Sequence, residues 1–354
     1  MEQFKSLNQI MYFALAPMDW ITDSAYRIVT QEVFEKYSTK WELLLFTEFM
    51  SADWYIANPE WVFHHIVKTN YEKNLTAQIY WWDKDRLIET AKDLDNKYNF
   101  HWIELNIGCP SPKVMACGWG AWMIKNKYET LEIIKEISKA IKNDFSIKTR
   151  VWLWNEDKEE QLKFIKEASK YCKMISIHWR TYKQWHSWLV DWEFIKRSKE
   201  EVSDKCIILW NWWIESYEDW LEQWKDIDWI MVWQAAIWNP WILVEKEANI
   251  NDIYETVIKH LKYSAGLEIL KKEIWDSRNN FCKEIKIDDL KNIKDNQIEK
   301  HTLRSPIEFR KHLFSYIKWL KNSKELKQNI ILKKNYKEVK ESIEEYFLKL
   351  KKES

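Results

Sequence analysis

The sequence predicts an α/β fold, a (β/α)8 or TIM barrel, followed by a smaller helical domain. Eight short apolar runs rich in β-branched residues recur between Tyr12 and Trp233, and longer amphipathic segments separate them. A polar side chain follows nearly every run, and active sites lie at the carboxyl ends of barrel strands. After Leu243 the pattern becomes helical and rich in Lys and Asn. We therefore assign residues 1–245 to a catalytic barrel and residues 246–354 to a helical domain.

The predicted strands are Tyr12–Ala16, Leu43–Thr47, Leu75–Tyr80, Trp102–Asn106, Phe145–Val151, Met174–His178, Cys206–Leu209 and Trp229–Trp233. Charges fall on one side of the segments between them, as in helices that cover a sheet; examples are Asp85–Lys97, Tyr128–Asn143, Lys158–Tyr171 and Ser216–Lys225. A doubly wound open sheet is the structural alternative. Such a sheet usually has fewer strands and opens with a Gly-rich phosphate loop, whereas the first run here ends in Ala16-Pro17-Met18-Asp19.

The stretch Asn106-Ile107-Gly108-Cys109-Pro110 directly follows the fourth run and places a thiol on a tight polar turn. Pro110 and Pro112 fix their own φ and push the preceding residues out of the helical region, so the thiol is held in place. A buried turn cysteine is the alternative for an isolated case. Here the pattern continues through Gly120, and we predict that Cys109 is catalytic.

Polar groups at the other strand ends complete a predicted mouth over an apolar barrel. In chain order the residues at these ends are Pro17 and Met18, Glu48, Gln78, Asn106, Lys148 and Arg150, His178 and Arg180, Asn211, and Gln234. Each residue taken singly is as well explained as a capping or surface residue. Together they indicate a barrel enzyme.

Charge is balanced over the whole chain, with 55 basic and 55 acidic residues, so the net charge indicates no partner. Residues 301–340 nevertheless contain 11 basic and 3 acidic residues, which suits a polyanion. Within this region, apolar residues at helical spacing between Ile307 and Lys318 leave Arg310 and Lys311 to contact a phosphate backbone. An ordinary helix with a solvated face is the alternative.

The five cysteines are Cys109, Cys117, Cys172, Cys206 and Cys282, and they contain no Cys-x-x-Cys pair. We therefore expect neither a disulfide framework nor a metal site, and a reducing cytoplasm fits. The N-terminus lacks a charged-then-apolar signal pattern, and no apolar run approaches the ~18 residues of a membrane span. We expect no membrane partner, and nothing in the sequence indicates an oligomer.

The chain contains 26 Trp and only 4 Gly, whereas about 7% glycine, or roughly 25 residues, is typical of this length. Several Trp residues occupy positions where the expected turn geometry favours glycine, as at Trp119 and at Trp212-Trp213 after a strand. Our hypothesis is that most of these Trp are glycines in the living protein, encoded by UGA read as glycine. With glycine, the loops after the last two strands form the usual barrel phosphate site, which suits a cofactor such as FMN. Literal Trp would block it.

With the glycine reading, the chain resembles the flavin-dependent tRNA-dihydrouridine synthases from about Phe13 to Leu243, and more weakly through Phe309–Leu320. The matching segments arrive in the family's order. They are residues 16–23, 78–81, 106–120, 147–150, 178–181, 211–213, 233–235 and 239–241. The helix that contains Arg310-Lys311-His312 is similar to that of a bacterial branch of the family.

The resemblance implies that the C5–C6 double bond of particular tRNA uridines is reduced by FMN, which NADPH or NADH recharges. Cys109 would protonate C5 after hydride reaches C6, because hydride addition leaves negative charge that needs a nearby proton donor. The implied FMN contacts are Pro17, Met18, Asp19, Gln78, Lys148, His178, Asn211, Trp212, Trp213, Trp233 and Gln234. The implied tRNA contacts are Asn106, Arg150, Arg180, Arg310 and Lys311. Gln234 stands where the family often has arginine, which removes one charge from the phosphate clamp.

Two other functions stay open at this point. One is another FMN-dependent barrel oxidoreductase that acts on a small molecule, of the dihydroorotate dehydrogenase type. The basic C-terminal region and the cysteine turn count against it, because a small substrate needs no basic extension. The other is an inactive RNA-binding barrel, which requires literal Trp at positions 212, 213 and 233.

Overall fold

The computed structural model describes residues 12–38, 41–151, 157–178, 191–212, 214, 216–219, 228–237, 239–276 and 283–353. Eight parallel strands form a closed barrel in which each strand pairs with the next and the last pairs with the first. These strands are β1 (Tyr12–Leu15), β2 (Glu42–Phe46), β3 (Leu75–Tyr80), β4 (Trp102–Asn106), β5 (Phe145–Arg150), β6 (Met174–His178), β7 (Ile207–Trp212) and β8 (Trp229–Val232). The predicted barrel is confirmed. A further two-residue strand, Met50–Ser51, pairs with β3.

Strand β7 departs most from its predicted bounds, which ended it at Leu209. Its last residues stay in the ladder because Asn211 lies opposite Met231 and Trp212 lies opposite Val232 in β8. Asn is depleted in strands, so this extension has no local signal. The extension arises because closure of the barrel pairs these residues with β8.

Alternate strand residues fill the barrel interior. Tyr12, Leu209, Trp229 and Met231 belong to one buried apolar cluster, in which the rings of Tyr12 and Trp229 meet edge to face with centroids 4.8 Å apart. The intervening residues point outward, as the two-residue period of a strand requires. Most strand residues are buried on both faces, which explains why the sequence shows nearly continuous apolar runs rather than a polar alternation.

The chain divides into two compact units. The first comprises Met1–Pro17, Ser38–Val62 and Lys73–Trp233 and contains the barrel strands given above; the second comprises Met18–Tyr37, Phe63–Glu72 and Gln234–Ser354. In chain order the helices are α1 (Ser24–Tyr37), α2 (Ala52–Ala57), α3 (Pro59–Ile66), α4 (Lys84–Lys97), α5 (Pro112–Ala116), α6 (Lys127–Ala140), α7 (Lys158–Ala168), α8 (Trp192–Glu201), α9 (Ile250–Asp276), α10 (Ile287–Asn292), α11 (Asp295–Ile298), α12 (Ser305–Glu308), α13 (Arg310–Tyr316), α14 (Ser323–Ile330) and α15 (Tyr336–Glu353).

The helix predictions hold for α4, α6 and α7, although α6 and α7 end earlier than expected, at Ala140 and Ala168. Of the predicted helix at 216–225, only residues 216–219 are described. The polar segment 276–300, for which the sequence leaves a loop or an insertion open, contains α10 and α11 within its described residues. No helix in the described ranges has the length and apolarity to cross a membrane.

In the second unit, α1 is fastened to the segment 63–72 by a buried ion pair. Arg27 Nε lies 2.6 Å from Glu72 Oε1, and the side chains are 1% and 0% exposed. The other carboxylate oxygen, Oε2, accepts hydrogen bonds from the hydroxyl of Ser24 and the backbone N–H of Thr69. This carboxylate is therefore well satisfied, which is the condition under which a buried ion pair offsets its desolvation cost.

Candidate active site

The turn after β4 holds Cys109 by backbone hydrogen bonds on both sides. Ile107 N donates to the carbonyl of Lys148 at the end of β5 (2.9 Å), and Ala121 N donates to the carbonyl of Cys109 (2.9 Å). Gly108 N donates to Asn106 Oδ1 (3.0 Å), which closes an Asx-type turn. The thiol of Cys109 is partly exposed. The structure thus presents this thiol on a fixed turn at a strand end, as the sequence predicted.

Gly120 lets the chain fold back over this turn. Its φ is +64°, and a Cβ placed there would lie 2.7 Å from the carbonyl oxygen of Cys109 and 2.6 Å from a methyl group of Val114. A side chain at this position would therefore displace the backbone that carries the thiol.

A chain of side-chain hydrogen bonds runs from the barrel interior to this turn. Gln78 Nε2 donates to Glu104 Oε2 (2.6 Å), and Asn106 Nδ2 donates to Gln78 Oε1 (3.0 Å). Asn106 in turn accepts a hydrogen bond from the backbone N–H of Gly108. The chain of three buried side chains therefore ends at the residue before Cys109. Ser176 Oγ also donates to Glu104, at 3.4 Å. The amide groups of Gln78 and Asn106 are therefore held in one orientation.

Glu104 is a member of the site that the sequence analysis missed. It is fully buried, although it lies in the middle of an apolar run. The available signal was its position two residues before Asn106, which puts both side chains on the same face of β4. Burial raises the pKa of Glu104, while the hydrogen bond from Gln78 and the charge of Lys148 oppose that rise.

Lys148 supplies the positive charge of the mouth from strand β5, where it pairs with Asn106 of β4. The side chain of Lys148 is only partly buried. Desolvation lowers the pKa of Lys148; the charges of Glu104 and Cys109 raise it, and that of Arg150 lowers it further. The amine is therefore coupled electrostatically both to the interior carboxylate and to the thiol.

Arg150 and His178 lie at the ends of β5 and β6. Arg150 Nε donates to the carbonyl oxygen of Gly108 (2.6 Å), and its Nη1 lies 3.4 Å from His178 Nδ1. Both side chains are buried, at 7% and 5% exposure. The ring of Trp233 meets His178 edge-on, with centroids 5.3 Å apart. We refer to Gln78, Glu104, Asn106, Lys148, Arg150 and His178 as the mouth network.

The remaining predicted residues of the first unit lie at their expected strand ends. Pro17 follows β1 and is half-buried. Asn211 is buried in β7 with its Nδ2 3.5 Å from the carbonyl of Met231. Trp212 is described by its backbone, which pairs with β8. Trp213 and Arg180 lie outside the described residues.

Five predicted residues belong to the second unit. Met18 is buried and its N–H donates to Thr22 Oγ1 (2.9 Å), whereas Asp19 is exposed. Gln234 begins a short 3-10 turn, Gln234–Ile237. Arg310 donates to the backbone carbonyl of Lys333, and Lys311 Nζ lies 4.0 Å from Asp23 Oδ2.

Comparison with known proteins gives one consistent relationship. The family model described as "Dihydrouridine synthase (Dus)" matches residues 14–352. A "Probable tRNA-dihydrouridine synthase" of Staphylococcus epidermidis is 30% identical over 257 residues, which cover 70% of this chain and 74% of that protein. A protein of the same name from Aquifex aeolicus is 26% identical over 339 residues, 94% of each chain. The chain spans 59% of the length of a relative from Rickettsia conorii and 64% of one from Rickettsia bellii, both with that name.

Proposed function

Because this chain belongs to the dihydrouridine synthase family, we propose that it reduces the C5–C6 double bond of uridines in tRNA, with FMN as the hydride donor and NAD(P)H as the reductant. The observation that carries the proposal is the thiol of Cys109, which is partly exposed on a turn that is hydrogen-bonded into the mouth network. Hydride addition to the uracil ring needs a proton donor on a fixed support, and this turn offers one.

The strand ends fit the ring half of a flavin. Gln78, Lys148 and His178 offer an amide, an amine and an imidazole, which are the group types that bind the polar edge of such a ring. One N–H of Gln78 is used by Glu104 and its carbonyl by Asn106, which leaves the second N–H for a ligand. When bound, FMN supplies hydride and is recharged by NAD(P)H.

The phosphate half of FMN is expected at residues 211–213, 233 and 234. A barrel phosphate loop binds through backbone N–H groups, which requires close approach of the ligand to the backbone. Trp233, packed against His178, fills space at the end of β8 that glycine would leave open. The proposal for this half therefore depends on the hypothesis that residue 233 is glycine in the living protein.

In the proposed reaction, Cys109 moves the proton. Hydride at C6 leaves an electron pair on C5 and O4; the S–H of Cys109 breaks, its proton bonds to C5, and the thiolate remains. The ammonium group of Lys148, which lies opposite Asn106 at the end of β5, would stabilise that thiolate by charge attraction. The carbonyl of Gly108 stays fastened to Arg150 throughout, so the sulfur keeps its position. The target uridine leaves its stack to enter the mouth.

We propose that the basic residues of segment 301–340 bind the tRNA phosphates, together with Arg180. The segment contains 11 basic and 3 acidic residues, and electrostatic contacts of this kind supply affinity rather than base recognition. A barrel oxidoreductase with a small substrate needs no such region, so it supports the tRNA proposal over the small-molecule alternative.

The test is the dihydrouridine content of unmodified tRNA after incubation with the protein, FMN and NADPH. We expect Cys109→Ala to lower the rate by about 100-fold or more, because a positioned acid contributes about that factor. Cys117→Ala is the matched control, since Cys117 is an exposed cysteine at the end of α5 and its replacement should preserve activity. Flavin-loaded protein that forms no dihydrouridine would contradict the proposal, and flavin-dependent turnover of dihydroorotate would then favour the alternative.

A further inference from the structure

A second group of titratable side chains lies in the second unit, and the proposed reaction does not use it. Asp23 precedes α1, His260 lies within α9 and His312 lies within α13. One possible ligand atom from each side chain lies within 4.8 Å of the other two. We call these three residues the histidine cluster. It joins three segments that are far apart in the sequence.

The closest pair in the histidine cluster already has the spacing of two metal ligands. His312 Nε2 lies 3.4 Å from Asp23 Oδ2. Ligand atoms at 2.0–2.2 Å from a tetrahedral zinc ion are about 3.4 Å apart. The other carboxylate oxygen, Asp23 Oδ1, accepts a hydrogen bond from Tyr26 N (2.9 Å) at the start of α1. This contact fixes the carboxylate and leaves Oδ2 directed toward the imidazoles.

Three of the four imidazole nitrogens in the cluster are buried without a hydrogen bond within the described ranges, although His312 Nε2 faces Asp23 Oδ2 at 3.4 Å. His260 is 0% and His312 is 1% exposed. Within the described ranges, His260 Nε2 and both ring nitrogens of His312 have no hydrogen-bond partner. A buried polar atom without a partner costs about 1–3 kcal/mol, so each such atom in a folded protein asks for an explanation. An ion between the side chains would satisfy the free lone pairs.

The protonation states suit a cation. Burial lowers the pKa of His260 well below its ordinary value, so this imidazole is neutral near pH 7. Burial opposes ionisation of Asp23, but His312, His260 and Lys311 outweigh it and hold the pKa of that carboxyl below its usual range. His260 Nδ1 also lies 3.2 Å from the Tyr316 hydroxyl, the kind of outer contact that orients a metal-binding imidazole.

We propose that Asp23, His260 and His312 bind one divalent transition-metal ion of the zinc class. Two imidazole nitrogens with one carboxylate oxygen suit zinc, cobalt or nickel, whereas magnesium and calcium prefer oxygen ligands. Asp23 is 29% exposed, so water can complete the coordination sphere. Lys311, at 4.0 Å from Asp23 Oδ2, has a side chain that is 30% exposed and moves aside when the ion binds. The sequence expectation of no metal rested on cysteine spacing, which cannot detect this cluster.

The experiment is a titration of EDTA-treated full-length protein with Co²⁺, followed by visible absorption, with displacement by Zn²⁺. We expect one equivalent to bind and the melting temperature to rise with Zn²⁺ but not with Mg²⁺. Asp23→Asn and His312→Gln should each weaken Co²⁺ binding by about 100-fold or more, at least the loss seen on removing an outer contact of a metal ligand. Asp23→Asn also keeps a helix-capping side chain, so its fold is preserved.

Two control variants exclude other cation sites. The rings of His64 and His65 on α3 lie 3.9 Å apart, and His65→Gln should leave Co²⁺ binding unchanged. Cys117→Ala should also leave it unchanged. If Asp23→Asn binds Co²⁺ as tightly as the unaltered chain, or if the unaltered chain binds none, the proposal fails. The readout is metal content and absorption, so it is independent of tRNA reduction.

Discussion

The mouth network and the histidine cluster both contain buried titratable side chains, but the carboxylate of the first and the imidazoles of the second differ in how their polar atoms are satisfied. In the mouth network, Glu104 accepts from Gln78 and Ser176, and each amide oxygen has a donor. In the histidine cluster, the ring nitrogens of His312 and one of His260 have no hydrogen bond within the described ranges. Since unsatisfied buried groups are costly, the carboxylate and amide oxygens of the mouth network are satisfied within the chain, whereas the imidazoles of the histidine cluster favour an added ligand.

The largest expected effect comes from breaking the mouth network at Glu104. Replacing Glu104 by Leu removes the acceptor of the hydrogen bonds from Gln78 and Ser176. We expect the free energy of unfolding to fall by about 3 kcal/mol, the upper end for buried donors left without an acceptor. Urea denaturation measures this change.

Glu104→Gln and Glu136→Gln are the controls for that experiment. Glu104→Gln keeps an acceptor for Gln78, so we expect a smaller loss of about 1 kcal/mol. Glu136 forms an exposed ion pair with Lys139, and its replacement should change nothing measurable. Equal stability of Glu104→Leu and the unaltered chain would show that the network does not contribute to folding.

A somewhat smaller loss of stability is expected from replacing Arg150, which links the mouth network to the turn that carries Cys109. Arg150→Met removes the charged donor to the carbonyl of Gly108, and we expect a loss of about 2 kcal/mol in unfolding free energy. The rate of dihydrouridine formation should fall with it, because the turn that carries Cys109 loosens.

Arg150→Lys and Arg197→Met test the origin of the Arg150 effect. A lysine cannot reproduce the guanidinium fork, so Arg150→Lys should recover only part of the stability. Arg197 forms a two-pronged pair with Glu159 on the surface, and its replacement should have no measurable effect on stability. An Arg150→Met variant with full activity would exclude a positioning role for this side chain.

The two regions should also respond to pH with opposite sign. Burial lowers the pKa of His260 in the folded state, so the unfolded chain takes up a proton near pH 6.5 and stability falls as pH drops below it. Burial raises the pKa of Glu104, so its contribution is present below the unfolded pKa and is lost as pH rises through the folded one. The titratable side chains around His260 include Asp23, Tyr26, His312, Lys311 and Tyr316.

In EDTA we expect His260 alone to contribute up to about 1.4 kcal/mol per pH unit between pH 6.5 and 5. His260→Gln should flatten this part of the pH dependence and leave the opposing contribution of Glu104. Urea unfolding at half-unit steps measures the difference between the two chains. If the free energies of unfolding of the two chains depend on pH in the same way, His260 has the same protonation state in the folded and unfolded chain.

The polar residues at the strand ends were identified from the sequence but the buried carboxylate of Glu104 was missed, for a physical reason. The strands and their polar ends are local signals, so Cys109, Gln78, Lys148 and His178 could be assigned to strand ends without any structure. The buried position of Glu104 exists only because barrel closure surrounds it with β3 and β6. Within a single run, one acidic residue is equally compatible with a solvent-facing strand position.

The histidine cluster was beyond sequence analysis for a related reason. Its members come from the turn before α1, from α9 and from α13, and no local spacing connects them. The helix around His312 was predicted from Phe309, Leu313 and Tyr316, whose burial is confirmed. That pattern describes the buried face but does not say which polar group lies opposite His312.

The smallest expected effect is at Trp20, beside the histidine cluster, and it tests the glycine hypothesis. Trp20 has φ = +64°, a left-handed conformation that costs a bulky residue about 1–2 kcal/mol. Lys311 lies 5.8 Å from its ring centroid, a contact that returns about half to one kcal/mol. We therefore expect Trp20→Gly to raise the unfolding free energy by up to about 1 kcal/mol.

Trp54→Gly is the control, because Trp54 lies in α2 and glycine within a helix is unfavourable by about 0.5–1 kcal/mol. The two changes should therefore have opposite signs. Peptide mass spectrometry of the protein from its native source then reads residue 20 directly. Glycine there, with a stabilised Trp20→Gly variant, would mean that Lys311 faces no ring in the living protein and is freer to turn toward Asp23. Tryptophan at residues 20 and 233 would refute the recoding hypothesis, and with it the proposed phosphate half of the FMN site.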